Sequence, residues 1–423
     1  MDQKDLIKII DFWRENPKSE TLFARDLLSK IKLDNPEVVD VIGPRRCGKS
    51  SLLKLLIAKL PTDSWVYMNF EDPFFLTNNS AQVIEEIVEV FQTNFSDKLK
   101  FLFFDEIQNI ANWEKAIRKL RDSGLYKIFI TGSSSKLLSR ELSSLLSGRH
   151  LSFNLLPLSF GEFLVFKNFP IKNKRDLVIK DKMLLKLFDE FLQIGGFPQA
   201  VLNKAPELLK QYYSDIVQKD IVNRYEVREK EVLEKMGIFL LSNSGKIVSL
   251  SSLKKLYSIS FQSAATYIDY FKEGFMVFEV PQFSYSLKTQ QKAFKKIYSI
   301  DTGLSNAVSF RFSEDRGRLL ENVVALELYR KNEPFFYFKH IYGEVDFLVQ
   351  KQRGKYDIIQ VCSDLSDEKT RKREINGIEL ALKEVKVNKI FILTDNSMEN
   401  IKIGEHTIHI MPIFQWLIES NKF

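Results

Sequence analysis

Two cysteines in 423 residues, Cys47 and Cys362, are too few and too far apart for a disulfide framework or a zinc site, and a reducing compartment is the natural reading. No apolar run approaches the length needed to cross a bilayer. The amino terminus, MDQKDLIKIIDFW, is polar and acidic at its start and does not read as a targeting segment. The expectation is a soluble, cytoplasmic chain with no membrane partner. A dominant charge is missing too: 62 Lys and Arg against 55 Asp and Glu leave +7, which permits polyanion binding without demanding it. Apolar material is plentiful, with 44% hydrophobic residues and 35 Phe, and 423 residues are too many for one core, so two to four domains are expected.

The stretch Val38–Leu60, VVDVIGPRRCGKSSLLKLLIAKL, reads as a buried strand, a glycine-bounded loop and an amphipathic helix. Its loop, Gly43-Pro44-Arg45-Arg46-Cys47-Gly48-Lys49-Ser50 followed by Ser51, fits G-x-x-x-x-G-K-[ST] at every fixed position. Backbone N–H groups of such a loop converge on phosphate oxygens, with the positive end of the helix dipole behind them. Gly43 and Gly48 permit the tight path, Lys49 carries charge to the β- and γ-phosphates, and the Ser50 hydroxyl is placed for Mg²⁺. The alternative, a chance Gly/Lys-rich turn, is disfavoured by the strand before it and the helix after it. ATP and Mg²⁺ are the implied cofactors.

Ahead of this stretch two amphipathic helices are expected, one burying Leu6, Ile9, Ile10 and Trp13, the other Phe23, Leu27 and Leu28. Beyond it, Trp65–Phe70 reads as a strand and Ala81–Phe95 as a helix. Phe101-Leu-Phe-Phe-Asp105-Glu106 is an apolar strand ending in two carboxylates, Asp105 for the magnesium shell and Glu106 to polarise the attacking water. A further strand, Tyr126–Thr131, ends in Gly132-Ser133-Ser134-Ser135, where ligands of open α/β sheets sit. Ser133 is the first choice to face the γ-phosphate and Thr131 the second. The plainer reading, that these serines cap a helix beginning near Lys136, stands beside it. Leu151–Leu156 is strand-like.

The phosphate loop, FFDEIQN, TGSSS, the Gly148-Arg149 pair and PLSFGEF together resemble AAA+ ATPases, in an AAA_14-like branch found widely in archaea and bacteria. The later segments resemble those accompanying this branch, a domain of unknown function numbered 4143. The resemblance implies a P-loop NTPase fold, a five-stranded parallel sheet with a helical lid. It implies Walker A roles for Lys49 and Ser50, Walker B roles for Asp105 and Glu106, and a sensor role for Ser133. Arg149 falls where such proteins place the arginine finger that reaches a neighbouring subunit, which implies a homo-oligomer. A surface arginine without a catalytic role is the plain alternative. Asn69 sits where a polar residue restrains the catalytic glutamate.

From 157 to 227 the pattern is helical and broken by Gly195-Gly196-Phe197-Pro198, which resembles a lid signature whose backbone touches the nucleotide. A helix stop followed by a proline-opened helix explains it equally. Residues 228–303 look like a winged helix, with helices at Val232–Leu241, Leu250–Tyr257 and Phe261–Lys272 and a β-wing from Met276–Val280 through Ser284–Gln291 to Lys292–Ile300. Gln262, Ser263, Thr266 and Tyr267 would reach a DNA groove, and Lys288, Lys292, Lys295 and Lys296 would meet phosphates. Asp269 and Glu273 on the same helix speak for protein docking instead.

Residues 304–423 resemble the PD-(D/E)xK nuclease fold, with Glu321 on a helix, Asp346 on a strand, and Gln360-Val361-Cys362 where the acid-x-Lys should be. A neutral amide replaces a carboxylate ligand and a thiol replaces the lysine, so a scaffold without nuclease activity is expected. The whole reads as residues 1–156 forming an AAA+ core, 157–227 a lid, 228–303 a winged helix and 304–423 a nuclease-like α/β domain. The expected activity is ATP hydrolysis driving a DNA-binding or DNA-remodelling module. A nucleotide-gated switch acting on a protein partner is the alternative, and a metal-dependent nuclease a third.

Overall fold

All five residues of Val38–Ile42 (β1) are buried, as a strand flanked on both edges and covered on both faces requires. In the computed structural model, which describes residues 2–15, 22–133, 148–309 and 315–422, this strand is the centre of a parallel sheet. Trp65–Asn69 (β2), Phe101–Asp105 (β3), Lys127–Gly132 (β4) and His150–Asn154 (β5) complete it in the order β2-β3-β4-β1-β5. Every pairing is parallel. The five-stranded parallel sheet expected of a P-loop NTPase is therefore present. The helix Lys49–Ile57 lays Leu52, Leu53 and Leu56 against Val39, Val41, Phe103 and Phe129. The rings of Phe103 and Phe129 stack with centroids 4.7 Å apart. Each fully buried side chain of this size contributes roughly 1.5–3 kcal/mol.

Two expectations change in this region. Of the two amino-terminal helices only Gln3–Glu15 forms; Asp26–Ser29 is a single 3₁₀ turn. The helix after the phosphate loop ends at Ile57, not Leu60. The serines at 134 and 135 and the helix read near Lys136 lie outside the described residues.

The chain divides into two compact units, Met1–Leu156 with Glu273–Phe275, and Pro157–Lys272 with Met276–Phe423. The second opens with helices Phe160–Phe166, Asp181–Ile194, Pro198–Asn203 and Leu208–Asp215, of which the first two pack Phe160, Phe163, Phe188 and Phe191 together. It continues with helices Lys230–Ser242, Leu250–Tyr257 and Phe261–Glu273 and an antiparallel sheet of Lys246–Val248 (β6), Val277–Pro281 (β7) and Lys295–Ser299 (β8) in the order β6-β8-β7. Last comes a six-stranded mixed sheet built from Phe335–His340 (β9), Gly343–Gln350 (β10), Lys355–Val361 (β11), Lys386–Thr394 (β12), Glu399–Ile403 (β13) and His406–Pro412 (β14). Its order is β13-β14-β12-β11-β10-β9, and the helices Arg316–Arg330 and Glu368–Glu384 accompany it.

The Gly-Gly-Phe-Pro turn is a helix stop and start. Gly195 closes the helix Asp181–Ile194, and Pro198 opens the next. The Gly196 N–H donates to Asp301 Oδ2 at 2.6 Å, and the Gly196 carbonyl accepts from Leu158 N–H at 2.7 Å, so this backbone is spoken for within the unit. Asp301 also accepts from Leu304 N–H at 2.7 Å. Burial pushes its carboxyl up to about 6, against the opposing pull of backbone N–H groups and Arg330. An unfolded aspartate titrates near 3.9, so between about pH 4 and 6 the folded chain holds the extra proton and loses stability as pH rises. The loss is on the order of 3 kcal/mol across that window. Urea unfolding at pH 4.5, 5.5 and 7 should therefore show Asp301→Asn without this part of the slope; an unchanged slope would contradict the assignment.

Candidate functional site

The loop between β1 and the helix Lys49–Ile57 is shaped by its glycines. A Cβ on Gly43 would sit 2.0 Å from the Leu155 carbonyl oxygen, and Gly48 caps the helix at φ 99°, a left-handed conformation that side chains rarely adopt. Lys49 Nζ donates to the carbonyls of Gly43 and Pro44 at 3.1 and 3.2 Å and pairs with Glu106 Oε1 at 3.1 Å. Burial opposes the Lys49 charge, yet Glu106, Cys47 and Asp105 outweigh it and hold the ammonium above its ordinary value. Cys47 is buried inside the loop, and burial pushes its thiol up. Arg45 pairs with Glu71, while Arg46 is exposed with φ 66°. Ser51, one residue on, is half-buried in the first helical turn.

Asp105 ends β3 with no exposure. The Ser50, Tyr67 and Thr131 hydroxyls all bond it, Tyr67 at 2.8 Å to Oδ2. Thr131 Oγ1 also accepts from the Glu106 N–H at 2.9 Å, tying the two acids to β4. Gln108 Nε2 donates to Glu106 Oε2 at 2.6 Å. The two neighbouring carboxyls are thereby pushed apart. Burial and the charge of Glu106 raise Asp105, whereas for Glu106 burial is outweighed by Lys49, Gln108 and Arg45 and its pKa falls. Glu106 is held as an anion beside a buried cation. The oxygen set of Ser50 and Asp105 suits a hard divalent ion such as Mg²⁺, and the loop amides with Lys49 suit phosphate.

Among the residues named from the sequence, Gly43 through Ser50, Asp105 and Glu106 come together here. Thr131 bridges the two acids, while Ser133 is buried two residues further along the same chain end. Asn69 Oδ1 accepts the Glu71 N–H at 2.9 Å, and the side-chain amide that bonds Glu106 is that of Gln108. Arg149 is on the surface, its side chain 58% exposed and 3.6 Å from Asp122. Arg25 was not foreseen. Its buried guanidinium donates to the Cys47 and Leu156 carbonyls, each at 2.7 Å, and so staples the phosphate loop to the end of the sheet. Nothing in the sequence around Arg25 marks it, whereas Gln108, two residues past Glu106, was within reach.

In the second unit, several groove and phosphate candidates are occupied. Tyr267 is buried and directs its hydroxyl to Glu229 at 3.3 Å, because its position on the helix turns inward with Ala264 and Phe271. Lys295 binds Glu279 at 2.9 Å, and Lys296 is buried. The polar wing tip folds as a short helix, Leu287–Lys292. Gln262 and Lys292 are exposed, with Ser263 and Thr266 half-buried. A cavity of about 500 Å³ lies along this face, lined in part by Phe261, Ala265, Ile268, Phe294 and Lys292.

Glu321, Asp346 and Gln360 converge on a second cavity of about 560 Å³. Gln360 Oε1 accepts the Asp346 N–H at 3.1 Å, and its Nε2 donates to buried Glu374, an acid absent from the sequence reading. A carboxylate at 360 would face Glu374 with like charge, so the amide fits this neighbour. Among the described residues no three His, Cys, Asp or Glu side chains are arranged to hold a metal ion, and no helix is long and apolar enough to cross a membrane.

Comparison with known proteins agrees with the first unit. Residues 35–164 match the model of an AAA domain family, AAA_14, and residues 185–315 match a domain of unknown function, DUF8612. The uncharacterized protein MJ1544 of Methanocaldococcus jannaschii is 40% identical over 422 residues, covering 95% of this chain and 92% of that one. An uncharacterized protein of Haemophilus influenzae is 28% identical over 95% of this chain and 100% of its own length. Among solved structures, the Walker-type ATPase PABY2304 of Pyrococcus abyssi aligns with a TM-score of 0.42 at 14% identity, over 67% of this chain and 94% of that one. The chain carries an AAA-type ATPase domain and belongs to one family with MJ1544 of Methanocaldococcus jannaschii.

Proposed function

We propose that the protein hydrolyses ATP with Glu106 as the water-activating base and uses the cycle to reposition its carboxyl-terminal module. The observation that carries this reading is the buried network of Lys49, Glu106, Asp105 and Thr131, in which one acid is kept ionised and the other is held by three hydroxyls. Loop amides and Lys49 bind the phosphates, Glu106 orients water, and Thr131 or Ser133 senses the terminal phosphate. Magnesium held by Ser50 and Asp105 would neutralise phosphate charge. Arg149 acts from a neighbouring subunit, so the working form is a homo-oligomer.

For the output, the helix-strand-helix-helix-strand-helix-strand order of 230–299, with the short helix Leu287–Lys292 at the wing tip, supports a winged helix, with Gln262, Ser263, Thr266 and Lys292 as the remaining candidates for DNA. A second reading rests on the cavity beside Phe261 and Phe294: a hollow of mixed polar and apolar lining, with Lys272 and Lys295 both already paired to Glu279, favours a protein partner. Residues 304–423 serve either output as a nuclease-like scaffold without cleavage activity. ATPase rates with and without duplex, forked and junction DNA separate the two. A DNA-acting machine should be stimulated, and its DNA retention should fall steeply between about 50 and 200 mM salt. A rate indifferent to every DNA would remove the DNA reading and leave the switch.

A further inference from the structure

Lys296, on β8, points into the acids of the nuclease-like sheet. Its side chain is 6% exposed, and its Nζ lies 2.6 Å from Glu344 Oε1, 3.0 Å from Glu321 Oε1 and 3.8 Å from Asp346 Oδ1. Glu321 comes from the helix Arg316–Arg330 and the other two from β10, so one ammonium collects carboxylates from two elements. Further hydrogen bonds reach two of these acids and their neighbour Glu374. Glu321 Oε1 also accepts from the Tyr298 hydroxyl at 2.6 Å, Asp346 Oδ2 accepts from Val361 N–H at 2.8 Å, and Glu374 is covered by Arg373 and Gln360. Carboxylates gathered this closely need a cation, and the chain provides one from the side chain of Lys296.

We propose that Lys296 is the resident cation of the Glu321–Glu344–Asp346 cluster, standing where a divalent metal would otherwise be required, and that with Lys296 in place the module takes up no Mg²⁺ or Mn²⁺ there. This rests on reading residues 304–423 as a nuclease-like scaffold without cleavage activity, and it supplies that reading with a cause. The substitutions at 360 and 362 weaken a metal site; an ammonium among the acids repels a second positive ion and makes the metal superfluous. The strand β8 is thereby fastened to β10 and the helix Arg316–Arg330 by charge.

The test is Mn²⁺ binding, followed by the loss of the free-ion electron paramagnetic resonance signal, with Asp105→Asn present throughout to silence the phosphate-loop site. The protein retaining Lys296 should bind no Mn²⁺ that Glu321→Gln abolishes. Adding Lys296→Met should create one Mn²⁺ site where there was none, raise the melting temperature when Mn²⁺ is present, and lose both effects with Glu321→Gln. Equal Mn²⁺ binding with and without Lys296, or a folded Lys296→Met protein that ignores Mn²⁺, would overturn the proposal. Should Lys296→Met not fold, the Lys296 protein decides alone: a Mn²⁺ ion removed by Glu321→Gln refutes the proposal, and its absence supports it. Mn²⁺ bound there without DNA or RNA cleavage defeats only this inference, whereas cleavage defeats the underlying reading too.

Discussion

Glu106→Gln is expected to bind ATP at least as well as the wild type while turning it over roughly 10²–10⁴-fold more slowly, the usual range for losing a positioned general base. Lys49 is shared between two loop carbonyls and the Glu106 carboxylate, so nucleotide binding has to draw the ammonium away from an anion. Glutamine keeps the shape and can still meet Gln108, but it lacks the charge that competes for Lys49 and the basicity that polarises water. Binding and hydrolysis should therefore separate. Fluorescent-nucleotide titration beside phosphate-release kinetics reads both, and a variant hydrolysing at the wild-type rate would rule out Glu106 as the base. Lys49→Ala should instead lose binding itself, because the substitution removes the ammonium that carries charge from the loop carbonyls to the phosphates.

Arg149→Ala is expected to cost roughly 10³-fold or more in turnover of the assembled protein, the scale of arginine fingers, and almost nothing in dilute subunits. The side chain is suited to the task because little holds it: its partner Asp122 is 3.6 Å away and both are exposed, an interaction worth about 0–1 kcal/mol. Mixing distinguishes a finger acting between subunits from one acting within its own. Arg149→Ala has an intact phosphate loop and Lys49→Ala an intact arginine, so a mixture should regain activity that neither has alone. No recovery in co-assembled mixtures would discard the arrangement in trans.

The phosphate site was legible because its determinants are contiguous. Gly43 through Ser50 are a single turn, and FFDE is a single strand end, so spacing along the chain equals placement in space. The partners of those residues were not legible for the opposite reason. Tyr67 and Arg25 reach the site from β2 and an amino-terminal turn, and only the parallel register brings Asn69 beside Asp105 and the β4 end, where Thr131 was already a candidate, beside β3. The face of the helix Phe261–Glu273 shows the same limit: Tyr267 looked free to reach a groove on helical spacing alone, yet packing turned it inward.

The amino acid sequence by itself determined a phosphate-binding loop and a strand ending in two acids, and the family resemblance pointed to an AAA-type ATPase domain, since hydrophobic strands, a glycine loop and two terminal acids specify a local path with few alternatives. That Thr131 ties Glu106 and Asp105 to β4, that the Gly195–Pro198 turn is held by Asp301, and that Lys296 answers the acids of the carboxyl-terminal sheet were decided only by tertiary structure. Those pairings join residues tens to more than a hundred positions apart, and a buried charge finds its partner by where elements pack, not by where residues stand in the chain.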